Sequence, residues 1–248
     1  MTVPKSLQPW AAELLGTYGF VTIGAAAGIM TGAQLGNSGL LGVAIGNGLG
    51  LGVMIATFAA ISGSHFNPAV TLSALVGRKI SSADALGYAA CQILGALGAG
   101  VTVRTIFAES VWRPAHLGAP TLTVGVGKGV LIEAVFTFFL AMVIWGTGID
   151  ERAPKVGGLF IGLTVVVGVL AVGPFTGGAF NPARYIGPAA VSGDVTHWWV
   201  YFVGPGIGGA IAGLVYPTIF QGGFPWARPS QAEPAPAAGR TASRRSAP

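Results

Sequence analysis

The chain reads as an all-α membrane protein with six transmembrane helices plus two half-helices in an inverted repeat. Three observations predict it. Charged residues make up only 8% of the 248 residues, against about 25% in a soluble domain, and the mean hydropathy is +0.69. Six apolar stretches occur, each close to the roughly 20 residues that a spanning helix needs. A short phrase is also written twice, as Phe66-Asn67-Pro68-Ala69 and Phe180-Asn181-Pro182-Ala183.

Residues 11–30 form the first span; the residues before it lack the basic start and cleavage site of a secretory signal, so this span is expected to be retained. Residues 41–61 form the second. A helix then begins at Pro68, because Asn67 is a strong N-cap and Pro suits the first helical position. It runs into Gly77, Arg78 and Lys79, a stop signal. Residues 84–107, 129–148 and 157–174 are the next three spans. A second helix begins at Pro182 behind Asn181; it is expected to be interrupted at Gly187 and Pro188 and to end near Ser192 and Gly193. Residues 198–220 close the set. At about 1.5 Å per residue the two short helices reach roughly 15 Å, half of a hydrocarbon core about 30 Å thick.

The chain is duplicated. Glu13 ahead of the first box is echoed by Glu133 ahead of the second. Repeat one covers about residues 11–107 and repeat two about 129–220, within a channel-type domain of residues 1–226. Three spans per repeat is odd, so repeat two enters the membrane from the opposite side and the functional site belongs at the repeat interface near the midplane. Non-helical backbone ahead of Asn67 and Asn181 is tolerated at that depth only beside water or inside protein. A pore or a packed pocket must stand there. With the N-terminus inside, nine of the thirteen Lys and Arg residues fall on the cytoplasmic side, so both termini are expected to be cytoplasmic. Gly204, Gly208, Gly209 and Gly213 give the last span a small-residue face for close helix packing.

The composition also excludes. The single Cys91 allows no disulfide framework. Net charge is +5, but the basic residues are scattered among loops and the C-terminal tail with no aromatic-flanked cluster, so nucleic acid is not an expected partner. No metal cluster and no nucleophile with a paired base is legible, so no enzyme, metal or cofactor is expected. Residues 227–248, rich in Pro, Ala, Ser and Arg, are expected to form a disordered cytoplasmic tail.

Six spans, inverted repeats and paired Asn-Pro-Ala boxes resemble the aquaporin, or major intrinsic protein, family, in a bacterial-type form, over roughly residues 11–221. The resemblance implies a homotetramer in the plasma membrane, each subunit with its own pore for water and small uncharged solutes, closed to protons and ions. The boxes Asn67, Pro68, Ala69 and Asn181, Pro182, Ala183 would meet at the pore centre, with the Asn amides donating to passing water. Asn47, Val169, Gly178 and Arg184 would form the selectivity filter. Glu13 and Glu133, with His65 and Gln92, would support the loops that lead into the half-helices. Strict water channels usually carry Phe and His where Asn47 and Val169 stand, and glycerol channels a Trp at Asn47, so a relaxed filter is expected. Ala189, Tyr201 and Phe202 lean toward the water channels, while Tyr185 fits neither group. A small-solute facilitator with low water permeability is the alternative.

Overall fold

The computed structural model describes residues 4–35, 38–153 and 156–226. The expected tail of residues 227–248, with Arg228, Arg240, Arg244 and Arg245, and the loop cation Lys155 lie outside the described residues.

Among the described residues six long helices are apolar enough to cross a membrane. In chain order the elements are α1 (Gln8–Gly32), α2 (Gly39–Ser62), the half-helix α3 (Pro68–Val76), α4 (Ser82–Ile106) and a short α5 (Glu109–Trp112). They continue with α6 (Val126–Ile144), which runs into a π turn (Trp145–Ile149), then α7 (Gly157–Thr176), the half-helix α8 (Pro182–Ser192) and α9 (Val200–Phe220). The spans carry Leu, Ile, Val and Phe on their outer faces, with Leu86, Val53, Val167 and Leu131 among the exposed. Helices apolar on every side suit a lipid solvent.

The repeats are interlocked. Half-helix α3 packs on α9 of repeat two, and α8 packs on α4 of repeat one. At the centre α2 and α7 meet backbone to backbone: a Cβ on Gly48 would stand 2.4 Å from the Gly162 carbonyl oxygen, and one on Gly162 would stand 2.5 Å from that of Gly48. The glycines of α9 split between two neighbours. Gly204 and Gly208 lie on α6 at Val130 and Ala134, while Gly209 and Gly213 lie on α3 at Ala69 and Ser73. One span thereby binds its own repeat and the half-helix of the other.

One expectation fails. Half-helix α8 is continuous through Gly187 and Pro188. Pro188 removes only the hydrogen bond to the Arg184 carbonyl, and Gly187 lets the helix press onto α4, where a Cβ would stand 2.3 Å from the Ala96 carbonyl oxygen. Tertiary packing overrides the local break, and the helix stops at Gly193, whose φ is +84°. Lys5, Arg78, Lys79 and Arg152 lie on one side of the six-span bundle; Arg104, Arg113 and Lys128 lie on the other.

Candidate functional site

Each half-helix is opened by its Asn. The Asn67 Oδ1 accepts from the Ala69 N–H at 2.9 Å, and the Asn181 Oδ1 accepts from those of Ala183 at 2.9 Å and Arg184 at 3.2 Å. Pro68 and Pro182 occupy the first helical turn. The amide nitrogens cross between repeats. Asn67 Nδ2 donates to the Phe180 carbonyl at 2.8 Å, and Asn181 Nδ2 donates to the Phe66 carbonyl at 2.9 Å. Two helix N-termini, each with about half a positive charge, are thereby tied tip to tip.

The residues just before each Asn are in a conformation that bulky side chains avoid. Phe66 has φ +48° and Phe180 has φ +50°, at a cost of about 1–3 kcal/mol each. Both are fixed at each end of the peptide. The Phe66 N–H donates to Glu13 Oε2 at 2.7 Å and the Phe180 N–H to Glu133 Oε2 at 2.7 Å, while each carbonyl holds the other repeat's Asn.

The two carboxylates are fully buried and surrounded by donors. Glu13 accepts from the Ser62 hydroxyl at 2.7 Å, the His65 N–H at 2.9 Å and Gln92 Nε2 at 2.7 Å, besides Phe66. Gln92 Nε2 also donates to the Thr71 hydroxyl at 2.9 Å, and His65 Nδ1 lies 3.1 Å from the same oxygen. Glu133 accepts from the Ala179 N–H at 3.1 Å besides Phe180, and is hydrogen-bonded to the Thr176 side chain. Four supporting residues escaped the sequence reading. The Tyr88 hydroxyl donates to the Ser62 carbonyl at 2.9 Å, and the Tyr201 hydroxyl to the Thr176 carbonyl at 3.0 Å. The signal for them was the register of the duplication: Ser62 and Thr176 stand at the same place ahead of their boxes, and a Tyr lies in the first two turns of the next span in each repeat.

The four expected filter residues form two touching pairs, both next to the second box. Arg184 Nε donates to Asn47 Oδ1 at 2.6 Å, and Asn47 Nδ2 donates to the Val43 carbonyl at 2.8 Å. A Cβ on Gly178 would stand 3.1 Å from Val169 Cγ2. Gly178 has φ +59° and comes directly after Gly177 at φ +76°, a conformation that suits glycine. Asn47, Asn67, Asn181 and Arg184 retain only 3–5% exposure, and the Arg184 Nη1 has no protein acceptor among the described residues. Tyr185 turns away from this group; its ring stacks on Tyr201 at 4.1 Å and its hydroxyl donates to the Thr196 carbonyl.

Paired half-helices crossed at their tips inside a six-span inverted repeat are the architecture of a multi-pass integral membrane channel. Residues 1–216 match the family described as Major intrinsic protein, and the chain belongs to that family. It is 39% identical over 226 residues to "Probable aquaporin TIP2-2" of Oryza sativa subsp. japonica, covering 88% of this chain and 89% of that protein. It is 42% identical over 223 residues to "Aquaporin TIP4-4" of Zea mays, covering 86% and 87%. The X-ray structure of the aquaglyceroporin from Plasmodium falciparum has the same fold, with TM-score 0.78 at 23% identity over 86% of this chain and 96% of that one.

Proposed function

We propose that the chain is a passive water channel with a relaxed filter, one that also passes small neutral solutes and excludes protons and ions. The observation that carries this reading is the crossed pair of Asn amides. A side-chain amide has two N–H donors. One on each Asn is used across the repeat interface, which leaves the other for the oxygen of a passing water. A water held by both Asn residues, between two positive helix ends, cannot accept a proton from its neighbours in the file. Half-helix dipoles of this kind are a barrier already described for aquaporin-type pores. The relatives in rice and maize carry the name aquaporin, which agrees.

Asn47, Val169, Gly178 and Arg184 form the filter in this reading. Arg184 stays charged at any physiological pH; Asn47 steers its Nε and leaves Nη1 for permeant oxygens. Val169 and Gly178 offer no ring, so urea, ammonia or glycerol can pass as well as water.

The chain acts as a homotetramer in the plasma membrane with both termini cytoplasmic. The charge distribution supports the orientation. An asymmetry between the repeats supports association. In repeat one Met54 fills the cleft between α1 and α2, with its Sδ 2.6 Å from where a Cβ on Gly19 would stand. The matching position of α7 is Gly168, and the cleft between α6 and α7 stays open as an apolar groove of about 450 Å³ lined by Phe139, Val143, Phe160 and Leu163. A second copy that covers this groove would complete the packing.

Permeabilities of water, ammonia, urea and glycerol in one preparation of reconstituted vesicles test the reading. Water flux well above that of empty vesicles, with smaller solute fluxes, is expected. Solute flux without added water flux would make the protein a facilitator instead, and neither would refute both.

A further inference from the structure

Tyr185 directly follows Arg184, and the channel reading gives it no task. Its ring is buried, at 2% exposure, in an apolar cluster with Ala179, Ala189, Val200 and Tyr201. Inside that cluster the rings of Tyr185 and Tyr201 stack, with centroids 4.1 Å apart and planes 11° from parallel. Both hydroxyls are bound to backbone. That of Tyr185 donates to the Thr196 carbonyl at 2.9 Å, and that of Tyr201 to the Thr176 carbonyl at 3.0 Å. The rings are held at their hydroxyl ends as well as face to face, so neither can turn without giving up a hydrogen bond.

Thr176 carries the connection to the filter strand. Its hydroxyl oxygen accepts from the Gly178 N–H at 3.2 Å, and its side chain is hydrogen-bonded to Glu133. Gly178 brings no side chain of its own to fix the strand, and glycine has the freest backbone. A continuous path therefore runs from Arg184 through the Tyr185 and Tyr201 rings to Thr176 and Gly178. It joins the Asn47–Arg184 pair to the Val169–Gly178 pair, the two halves of the filter.

Repeat one shows the same positions without the stack. Thr71 stands four residues after Asn67, as Tyr185 does after Asn181. Its hydroxyl is taken by Gln92 and His65, and the Tyr88 ring meets the His65 ring edge-on at 5.3 Å. Tyr88 keeps the counterpart of the Tyr201 hydrogen bond, to the Ser62 carbonyl. In repeat one the Tyr ring leans on the loop ahead of the box; in repeat two it leans on the half-helix. We propose that Tyr185 is a positioning residue that sets the spacing between the two filter pairs, bracing half-helix α8 against the Gly178 strand through Tyr201 and Thr176.

The proposal rests on the filter reading, so its test has two readouts. One is the glycerol-to-water permeability ratio in reconstituted vesicles; the other is hydrogen exchange at the amides of residues 177–179 in the same preparation. Tyr185→Leu removes the stack and keeps apolar bulk. Tyr201→Phe removes the hydroxyl to Thr176 and keeps the stack. Each should speed exchange and raise the ratio by about twofold to tenfold, the range that one aromatic pair or one hydrogen bond supplies. Tyr185→Phe keeps the stack and should match the unmodified protein in both readouts. Tyr88→Phe, the counterpart in repeat one, should lower the unfolding temperature and move neither. Unchanged exchange in Tyr185→Leu and Tyr201→Phe, or equal changes in Tyr185→Phe or Tyr88→Phe, would overturn the brace. Faster exchange with a flat ratio would uphold the brace and strike the filter reading of Gly178 instead.

Discussion

The two boxes share one geometry and differ in what surrounds it. In repeat one every approach to the box is tied down. Glu13 takes four donors, and Gln92, His65 and Thr71 close a side-chain network behind it. In repeat two Glu133 takes two backbone N–H groups and the Thr176 side chain. Left-handed Gly177 and Gly178 precede that box where repeat one has left-handed Gly63 and Ser64, and Arg184 comes after it with Nη1 lacking a protein acceptor among the described residues. In the proposed reading repeat one is an anchor, and repeat two, with Asn47 of repeat one, is the selector. The strained Phe in each is fixed by a carboxylate from its own repeat and an amide from the other, so neither box can move without the other.

The difference can be broken by substitution. The largest effect is expected from Glu13→Ala, which strands four donors at about 1–3 kcal/mol for each buried group; thermal unfolding in detergent should show it destabilised more than Glu133→Ala. Equal losses would mean that the anchor is not in repeat one. Next, Arg184→Val should raise proton or cation leakage of vesicles by about tenfold or more, the scale of a barrier change near 1.4 kcal/mol, with stability little altered. Unchanged leakage would take the charge out of the barrier. Asn47→Leu removes the acceptor for Arg184 Nε without adding a ring. It should change the glycerol-to-water ratio a few-fold, whereas Asn47→Phe should cut glycerol flux more than water flux. Equal loss of both would remove Asn47 from the filter.

The smallest effect lies far from either box. Asp150 is held well below the usual carboxylate range, first by the Arg152 side chain and N–H. A depressed folded-state value stabilises above the unfolded value of about 3.9 and loses that contribution as pH falls below it. Asp150→Asn should therefore lower the unfolding temperature slightly at neutral pH and progressively less as pH falls below about 3.9. A shift as large as that of Glu13→Ala would show that the boxes are not the centre of stability.

Much of this was legible because it is local chemistry. Asn67-Pro68 and Asn181-Pro182 each combine a cap with a first-turn Pro, and the helices start there. The six spans are dictated by apolar length, and Glu13 and Glu133 stood out as carboxylates that burial obliges to find donors. What escaped depends on distant partners. The left-handed Phe66 and Phe180 are held by groups far away in sequence, so no local propensity signals them. The crossed Asn bonds exist only once the repeats are interlocked. Pro188 reads as a helix break in isolation and is absorbed because α8 is clamped against α4. The open cleft at Gly168 is visible only beside its filled counterpart at Met54.

Water should cross in a continuous thread past Asn67 and Asn181. The temperature dependence of osmotic water permeability in reconstituted vesicles decides whether it does. An activation energy close to that of water diffusing in bulk, and clearly below that of protein-free vesicles, is expected. A value equal to that of the bare bilayer would mean that no such thread exists.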